Sequence, residues 1–255
     1  MSKNSKFTKI KPFKGLEQKI QEILNELCSQ NFEELVIKIK SLDIDTNAKL
    51  LTLTKLLFER ALEEPLFSGT IAEICQVLKI IKVEKVDKNG NCTPVNFRRI
   101  LINCCQIEFE YFVDGWNSEN QRPQRLESKL LTKCEEKLQQ AKIRAIGLII
   151  FLGKLYNLGM LTDRIMHDIV HKLLMSQNEK ALECLCWLLN IVGKKLEVST
   201  NQKVEKTSKE ELPKEIVPFY DYFDKIREMA MTEVKKEISP SVKVTVWKFK
   251  NISTI

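Results

Sequence analysis

The sequence predicts an all-α chain, a solenoid of about five antiparallel helix pairs. Three observations predict it. Apolar residues recur at helical spacing through most of the chain. Turn formers are scarce, with 8 Gly and 7 Pro in 255 residues, which argues against many short strands joined by tight turns. The helical stretches also fall into pairs that succeed one another every ~40 residues, the period of HEAT-type repeats.

Nine amphipathic helices follow in order. Leu16, Ile20, Ile23, Leu24 and Leu27 share one face, and Phe32, Leu35, Val36, Ile39 and Leu42 the next. Leu50, Leu53, Leu56 and Leu57 mark the third, and Ile71, Ile74, Cys75 and Leu78 the fourth. Phe97, Ile100, Leu101 and Cys104 start the fifth; Ala141, Ala145, Leu148 and Leu152 lie on the sixth. Ile165, Ile169, Val170 and Leu173 form the seventh, Leu182, Leu185 and Leu189 the eighth, and Phe219, Tyr222, Phe223 and Ile226 the ninth. Boundary residues fit this reading. Thr162 is an N-cap followed by a first-turn acid, Asp163. Gly159 and Gly193 are expected as left-handed C-caps, and Pro65 and Pro94 at helix starts.

The pairs are 16–41, 46–83, 95–158, 162–194 and a last unit from 218. Three polar segments interrupt them and read as solvated loops: 84–93, 114–137 and 197–214. Residues 1–14 read as a basic flexible tail, 15–238 as the repeat domain and 239–255 as a separate segment. In that segment Val242, Val244 and Val246 alternate as in a strand, where a closing helix would be expected.

Charge and motifs exclude more than they assign. Lys and Arg number 41 against 34 acids, a net charge of +7 that permits a polyanionic partner without demanding one. Lys79, Lys82 and Lys85 form one basic stripe, and Arg98 and Arg99 a second site at a helix start. Aromatic residues are 7% and sit mostly at core spacing, so there is no stacking platform. Phosphate contact through these cations, tolerant of sequence, is the nucleic-acid binding they suit. The longest apolar run, Ala145 to Leu152, is far short of the ~20 residues of a membrane span. Met1 to Lys14 has no apolar core of a secretory signal, so the eight cysteines are expected reduced in the cytosol, mostly as buried small hydrophobes.

His167 and His171 are the two histidines, one turn apart. They could share a zinc as in HExxH sites, but Asp168 replaces the Glu and no third ligand is marked. One packed and one surface histidine is the simpler reading, and no metal is expected. Gly147 to Lys154 glances at a P-loop. Its glycine spacing is wrong, Leu155 stands where Ser or Thr must bind magnesium, and its interior is apolar. Gly147 and Gly153 are read instead as points of close helix approach.

Several stretches go beyond periodicity. LNELCSQNFEELVIKI from Leu24, LDIDTNAKL from Leu42, LLFERALEEPLFS from Leu56, VNFRRILINCCQIEFE from Val95, LYNLGMLTDRIMHDIVHKLL from Leu155 and LECLCWLLNIVGKKLE from Leu182 resemble the middle domain of eukaryotic translation initiation factor 4G. The likeness runs in order over most of Leu16 to Met231. It implies a crescent of HEAT-like repeats that is not an enzyme and needs no cofactor. Such a domain binds the DEAD-box RNA helicase, initiation factor 4A, orients its two lobes and speeds its cycle. It also contacts mRNA and other initiation components in the cytoplasm. The family's helicase pattern, L-x-x-L-x-x-x-x-F, falls here on Leu24, Leu27 and Phe32, which the resemblance makes partly exposed anchors. Spacing alone reads them as core.

The chain departs from the family in its shorter, less acidic segment 114–137 and after Ser239. The cap-binding-protein motif, Tyr-x4-Leu-hydrophobic, is missing; its nearest match, Tyr156 with Leu161, ends on Thr162. Two alternatives therefore stand beside an activating scaffold. One is a truncated decoy that sequesters the helicase and inhibits cap-dependent translation, and the other is a helical-repeat adaptor in mRNA decay or export.

Overall fold

The computed structural model describes residues 14–27, 31–86, 92–119, 131–176, 178–206 and 222. Among them are eight α-helices and one β-hairpin. They belong to two compact units, one drawn from 1–60 and 74–104, the other from 61–73 and 105–255.

The first unit begins with α1 (Lys14–Asn25) and α2 (Phe32–Lys40), which pack on each other. Ile20, Leu24 and Leu27 meet Leu35, Val36 and Ile39 in the core. α3 (Asn47–Glu63) starts at Thr46, whose hydroxyl accepts from Lys49 N at 3.3 Å. Lys49 also pairs with Asp45 at 2.8 Å and Asp43 at 3.3 Å, which fixes the acidic turn ahead of the helix. α4 (Ser68–Leu78) ends just before a hairpin of β1 (Lys82–Val86) and β2 (Cys92–Asn96).

That hairpin corrects the reading of 84–93 as a loop at its two ends, where 84–86 and 92–93 are strand; 87–91 lie outside the described residues. Val83 pairs with Val95 and Lys85 with Thr93, while Phe97 N donates to Ile81 O at 3.0 Å and extends the ladder into α5 (Phe97–Glu119). Glu84 faces Pro94, which has no N–H to give. Pro94 thus lies in β2 and not at a helix start; Asn96 caps α5 instead, its Oδ1 accepting from Arg99 N at 2.7 Å. The strands are short, β1 is charged and β2 carries a proline, so hydropathy does not reveal them. The sequence signal was Asn89-Gly90 between valine-bearing flanks.

The second unit holds α6 (Leu131–Asn157), α7 (Asp163–Met175) and α8 (Glu179–Lys206). α8 packs on both α6 and α7. The segments 114–137 and 197–214 are helical where described: α5 runs to Glu119, α6 starts at Leu131, and α8 continues through Gly193 to Lys206. Polar residues such as Lys, Glu and Gln are good helix formers, so polarity did not mark loops here. Gly193 is accordingly a helix-interior residue. The tail before Lys14, the ninth helix apart from Tyr222, and residues 239–255 lie outside the described residues.

Three short residues set the second unit's geometry. A β-carbon on Gly147 would lie 2.4 Å from the Leu62 carbonyl oxygen, and one on Gly153 would lie 2.8 Å from Ile191 Cγ2. Close approach, not phosphate binding, is therefore what these glycines supply. Gly159, at φ +72°, ends α6 in a Schellman motif. Its N–H bonds Tyr156 O at 2.9 Å, and Met160 N bonds Leu155 O at 2.8 Å. Thr162 then caps α7, its hydroxyl accepting from Ile165 N at 3.4 Å.

A polar web closes this junction. Lys195 Nζ donates to the Tyr156 and Asn157 carbonyls at 2.8 and 3.0 Å, covering the open end of α6. Asp163 accepts from Tyr156 Oη at 2.8 Å and from Ser199 Oγ at 2.5 Å. Burial and the bond to Asp163 push the Tyr156 hydroxyl above its ordinary range.

Two predictions test this packing. Gly147→Ala should destabilise the chain by about 1–3 kcal/mol, because backbone on both sides must give way. Gly153→Ala should cost less, since the Ile191 side chain can move; urea unfolding of both variants checks the order. Tyr222→Phe should cost about 1–3 kcal/mol by removing the donor to buried His167 Nδ1, now 2.7 Å away. Thermal unfolding reads that loss, and a Tyr222→Phe chain as stable as the parent contradicts the bond.

Candidate interaction surfaces

The first surface is the end of the α1–α2 pair. Leu24 is 4% and Leu27 6% exposed, so these two are core residues and not the partly exposed anchors expected. The reason is length. α1 has few turns, and its apolar stripe must be spent on α2 for the pair to hold. Phe32, first residue of α2, is half-buried and keeps a face in solvent. Around it the chain is tied down. Asn31 Nδ2 donates to the Glu26 carbonyl, and Lys38 pairs with the Glu26 carboxylate. That hydrogen bond holds the Lys38 ammonium above its ordinary range.

The second surface is basic. Lys79, Lys82, Lys85 and Arg99 are exposed and Arg98 is half-buried. The hairpin register joins what the sequence separates. Lys82 lies opposite Asn96, so the start of β1 stands beside Arg98 and Arg99 on the first turn of α5. Lys85 is three residues along the strand and leaves from the other face, the side on which Val83 is buried. The five cations are thus a cluster around Lys82 with Lys85 apart from it, not one continuous stripe.

The two histidines differ in their surroundings. His167 is buried and His171 exposed, as the simpler reading has it. His167 Nε2 lies 3.2 Å from Thr200 Oγ1, which already donates to Leu196 O at 2.7 Å. Nε2 therefore carries the proton, and Nδ1 accepts from Tyr222 Oη. Both ring nitrogens are satisfied by neutral groups in the core. Burial pushes the thiols of Cys184 and Cys186 up to about 12, so they are protonated hydrophobes at neutral pH. No three His, Cys, Asp or Glu residues group as a metal site among the described residues. No described helix is long and apolar enough to cross a membrane.

Sequence reasoning missed two things here. Lys195, on charge alone a surface cation, is used as a helix cap. Trp187, within the eighth helix, and Val198, in the segment read as a loop, both lie on α8 and are 42% and 50% exposed. Charge lists and periodicity do not register which carbonyls need a donor or which sector of a long helix lacks a neighbour.

Comparison with known proteins follows the same lines. The description of the MIF4G domain matches residues 17–246. Eukaryotic translation initiation factor 4 gamma 3 of Mus musculus is 40% identical over 190 residues, which are 71% of this chain and 12% of that protein. Eukaryotic translation initiation factor 4 gamma 1 of the same species is 38% identical over 190 residues, and eukaryotic translation initiation factor 4G of Arabidopsis thaliana 34% over 184. The chain spans only 12% and 10% of those proteins' lengths. In structure it is similar to the MIF4G domain of Trypanosoma cruzi translation initiation factor EIF4G5, with a TM-score of 0.52 at 16% identity, covering 93% of this chain and 96% of that one. With the domain description spanning 17–246 and a mainly helical fold that matches a MIF4G domain, the chain belongs to the MIF4G-domain family.

Proposed function

We propose that this chain is a non-enzymatic scaffold domain of translation initiation, working in the cytoplasm. The observation that carries the reading is the 40% identity over 190 residues to a translation initiation factor 4 gamma. On this reading it binds the DEAD-box helicase initiation factor 4A and favours the helicase's productive lobe arrangement. Binding energy spent on one partner conformation shifts that partner's population, and no chemistry is asked of the scaffold. A fold with buried, protonated thiols and a fully bonded histidine suits that division of labour.

At the helicase contact the roles divide by burial. Phe32 is the anchor that reaches the partner, while Leu24 and Leu27 hold the α1–α2 end in shape for it. Phe32→Ala should weaken helicase binding about tenfold or more, the size expected of a hot-spot anchor, with little change in melting temperature. Leu27→Ala should lower the melting temperature and weaken binding only through that loss, because it opens a core cavity. Titration of the helicase against both variants, with thermal unfolding alongside, tests the reading. Unchanged helicase affinity in Phe32→Ala contradicts it, and a parent chain that fails to bind the helicase defeats the proposal as a whole.

RNA contact is proposed through Lys82, Arg98 and Arg99, with Lys79 and Lys85 adding charge. These are phosphate-binding groups without an aromatic platform, so binding should be sequence-tolerant and fall steeply with salt. The Lys82→Glu variant should flatten the slope of log K against log salt by about one or more unit charges. Salt-independent binding, or strong preference for one oligonucleotide sequence, speaks against it.

A further inference from the structure

α6 and α8 run parallel. Lys142 meets Glu183, Gly153 meets Ile191, and Asn157 meets Lys195 in ascending order along both helices. Each presents one solvent-facing stripe of residues. On α8 it passes through Trp187, Ile191, Lys194 and Val198, at intervals of four, three and four. On α6 it passes through Lys142, Ile146, Ile150, Lys154 and Asn157. The stripes are stitched together at both ends. Lys142 Nζ pairs with the Glu183 carboxylate at 3.2 Å, and Asn157 Nδ2 donates to Ile191 O at 3.0 Å. Between Asn157, Ile191, Lys194 and Val198 lies an open groove of about 500 Å³.

The charge on this surface is one-sided. Glu183 is neutralised by Lys142, and Glu197, half-buried at the edge, is already engaged. Lys154 and Lys194 are exposed and make no ion pair among the described residues. Lys195 and Ser199 complete the groove's lining, and the surface that continues from it along both helices is apolar: Ile146, Ile150 and Ile191 are half-buried, and Trp187 is 42% exposed. From Lys142 to Asn157 the α6 stripe is about 22 Å long at 1.5 Å per residue, roughly four helical turns.

We propose that this groove takes an acidic amphipathic helix of a partner protein. Its apolar residues, spaced i, i+4 and i+7, would cover Trp187 and the three isoleucines, and its flanking carboxylates would reach Lys154 and Lys194. A nucleic acid fits less well, because the three isoleucines are aliphatic and offer no ring for a base to stack on. The surface shares no residue with the proposed helicase or RNA contacts, so it stands or falls independently of them.

The test uses the whole chain and three fluorescent probes read by anisotropy. They are an amphipathic peptide of about 15 residues with Leu on one face and Glu on its flanks, the same peptide with Lys for Glu, and an oligouridylate. The acidic peptide should bind and its lysine counterpart should not. Lys194→Glu should weaken the acidic peptide about tenfold or more and admit the lysine peptide. Trp187→Ala should weaken the acidic peptide as well, and Lys194→Glu should leave the melting temperature unchanged, since Lys194 faces solvent. Equal binding of the two peptides, no binding of either, or indifference to Lys194→Glu overturns the proposal. Oligouridylate binding that Lys194→Glu abolishes, with no acidic-peptide binding, makes the groove a nucleic-acid surface and overturns it equally.

Discussion

At two points α6 fits against its neighbours because it has no side chain there. At Gly147 the last turn of α3 brings a carbonyl oxygen to 2.4 Å from where a β-carbon would stand, and at Gly153 an isoleucine of α8 fills the same space. Packing this close leaves little freedom to slide. It sets α6 in register with α8, and the other contacts of this unit depend on that register. With Gly153 against Ile191, the open carbonyls of α6 arrive at the Lys195 ammonium, and the Asn157 amide arrives at the Ile191 carbonyl. A shift of one residue would rotate these partners apart by about 100° and leave helix-end carbonyls unanswered in a half-buried junction.

The polar groups of the second unit act mainly as fasteners. Asp163 is a first-turn acid favoured by the α7 dipole, and it also receives hydroxyls from Tyr156 and Ser199, so one carboxylate joins three helices. His167, Thr200 and Tyr222 form a second joint whose donors and acceptors all match. Such groups are costly in a core unless every one is paired, and paired they hold a single arrangement in place. A scaffold has need of that rigidity. If a domain works by holding a partner in one arrangement, flexibility in the domain would dissipate the binding energy meant for the partner.

The surfaces follow a different rule from the core. Phe32 keeps a face in solvent at the head of a short helix, and the cations around Lys82 are gathered by a two-stranded hairpin. The stripe from Trp187 to Val198 lies along a helix whose opposite face is buried through Leu182, Leu185, Leu189, Val192 and Leu196. Each combines a fixed backbone with side chains that keep a face in solvent, the property a docking surface would use.

Much of this was legible in the residues themselves. Helical spacing located the helices from Leu16 to Leu196, because an amphipathic face is a local pattern that only one period satisfies. The Thr162 cap, the turn at Gly159 and the close approach at Gly147 and Gly153 are equally local chemistry, and the structure agrees with them. Other features were settled only by tertiary structure. Leu24 and Leu27 carry the same spacing whether they anchor a partner or fill a core, and the packing of α2 against them decides for the core. The hairpin hides in charged residues because two short strands bury little more than Val83, and it is the register that brings Lys82 to Arg98 and Arg99. Lys195 became a cap, and Lys194 an exposed cation without an ion pair among the described residues, for the same reason. Sequence determines which faces of a helix are apolar, but exposure and pairing belong to the neighbours, and those are chosen by contacts between residues far apart in the chain.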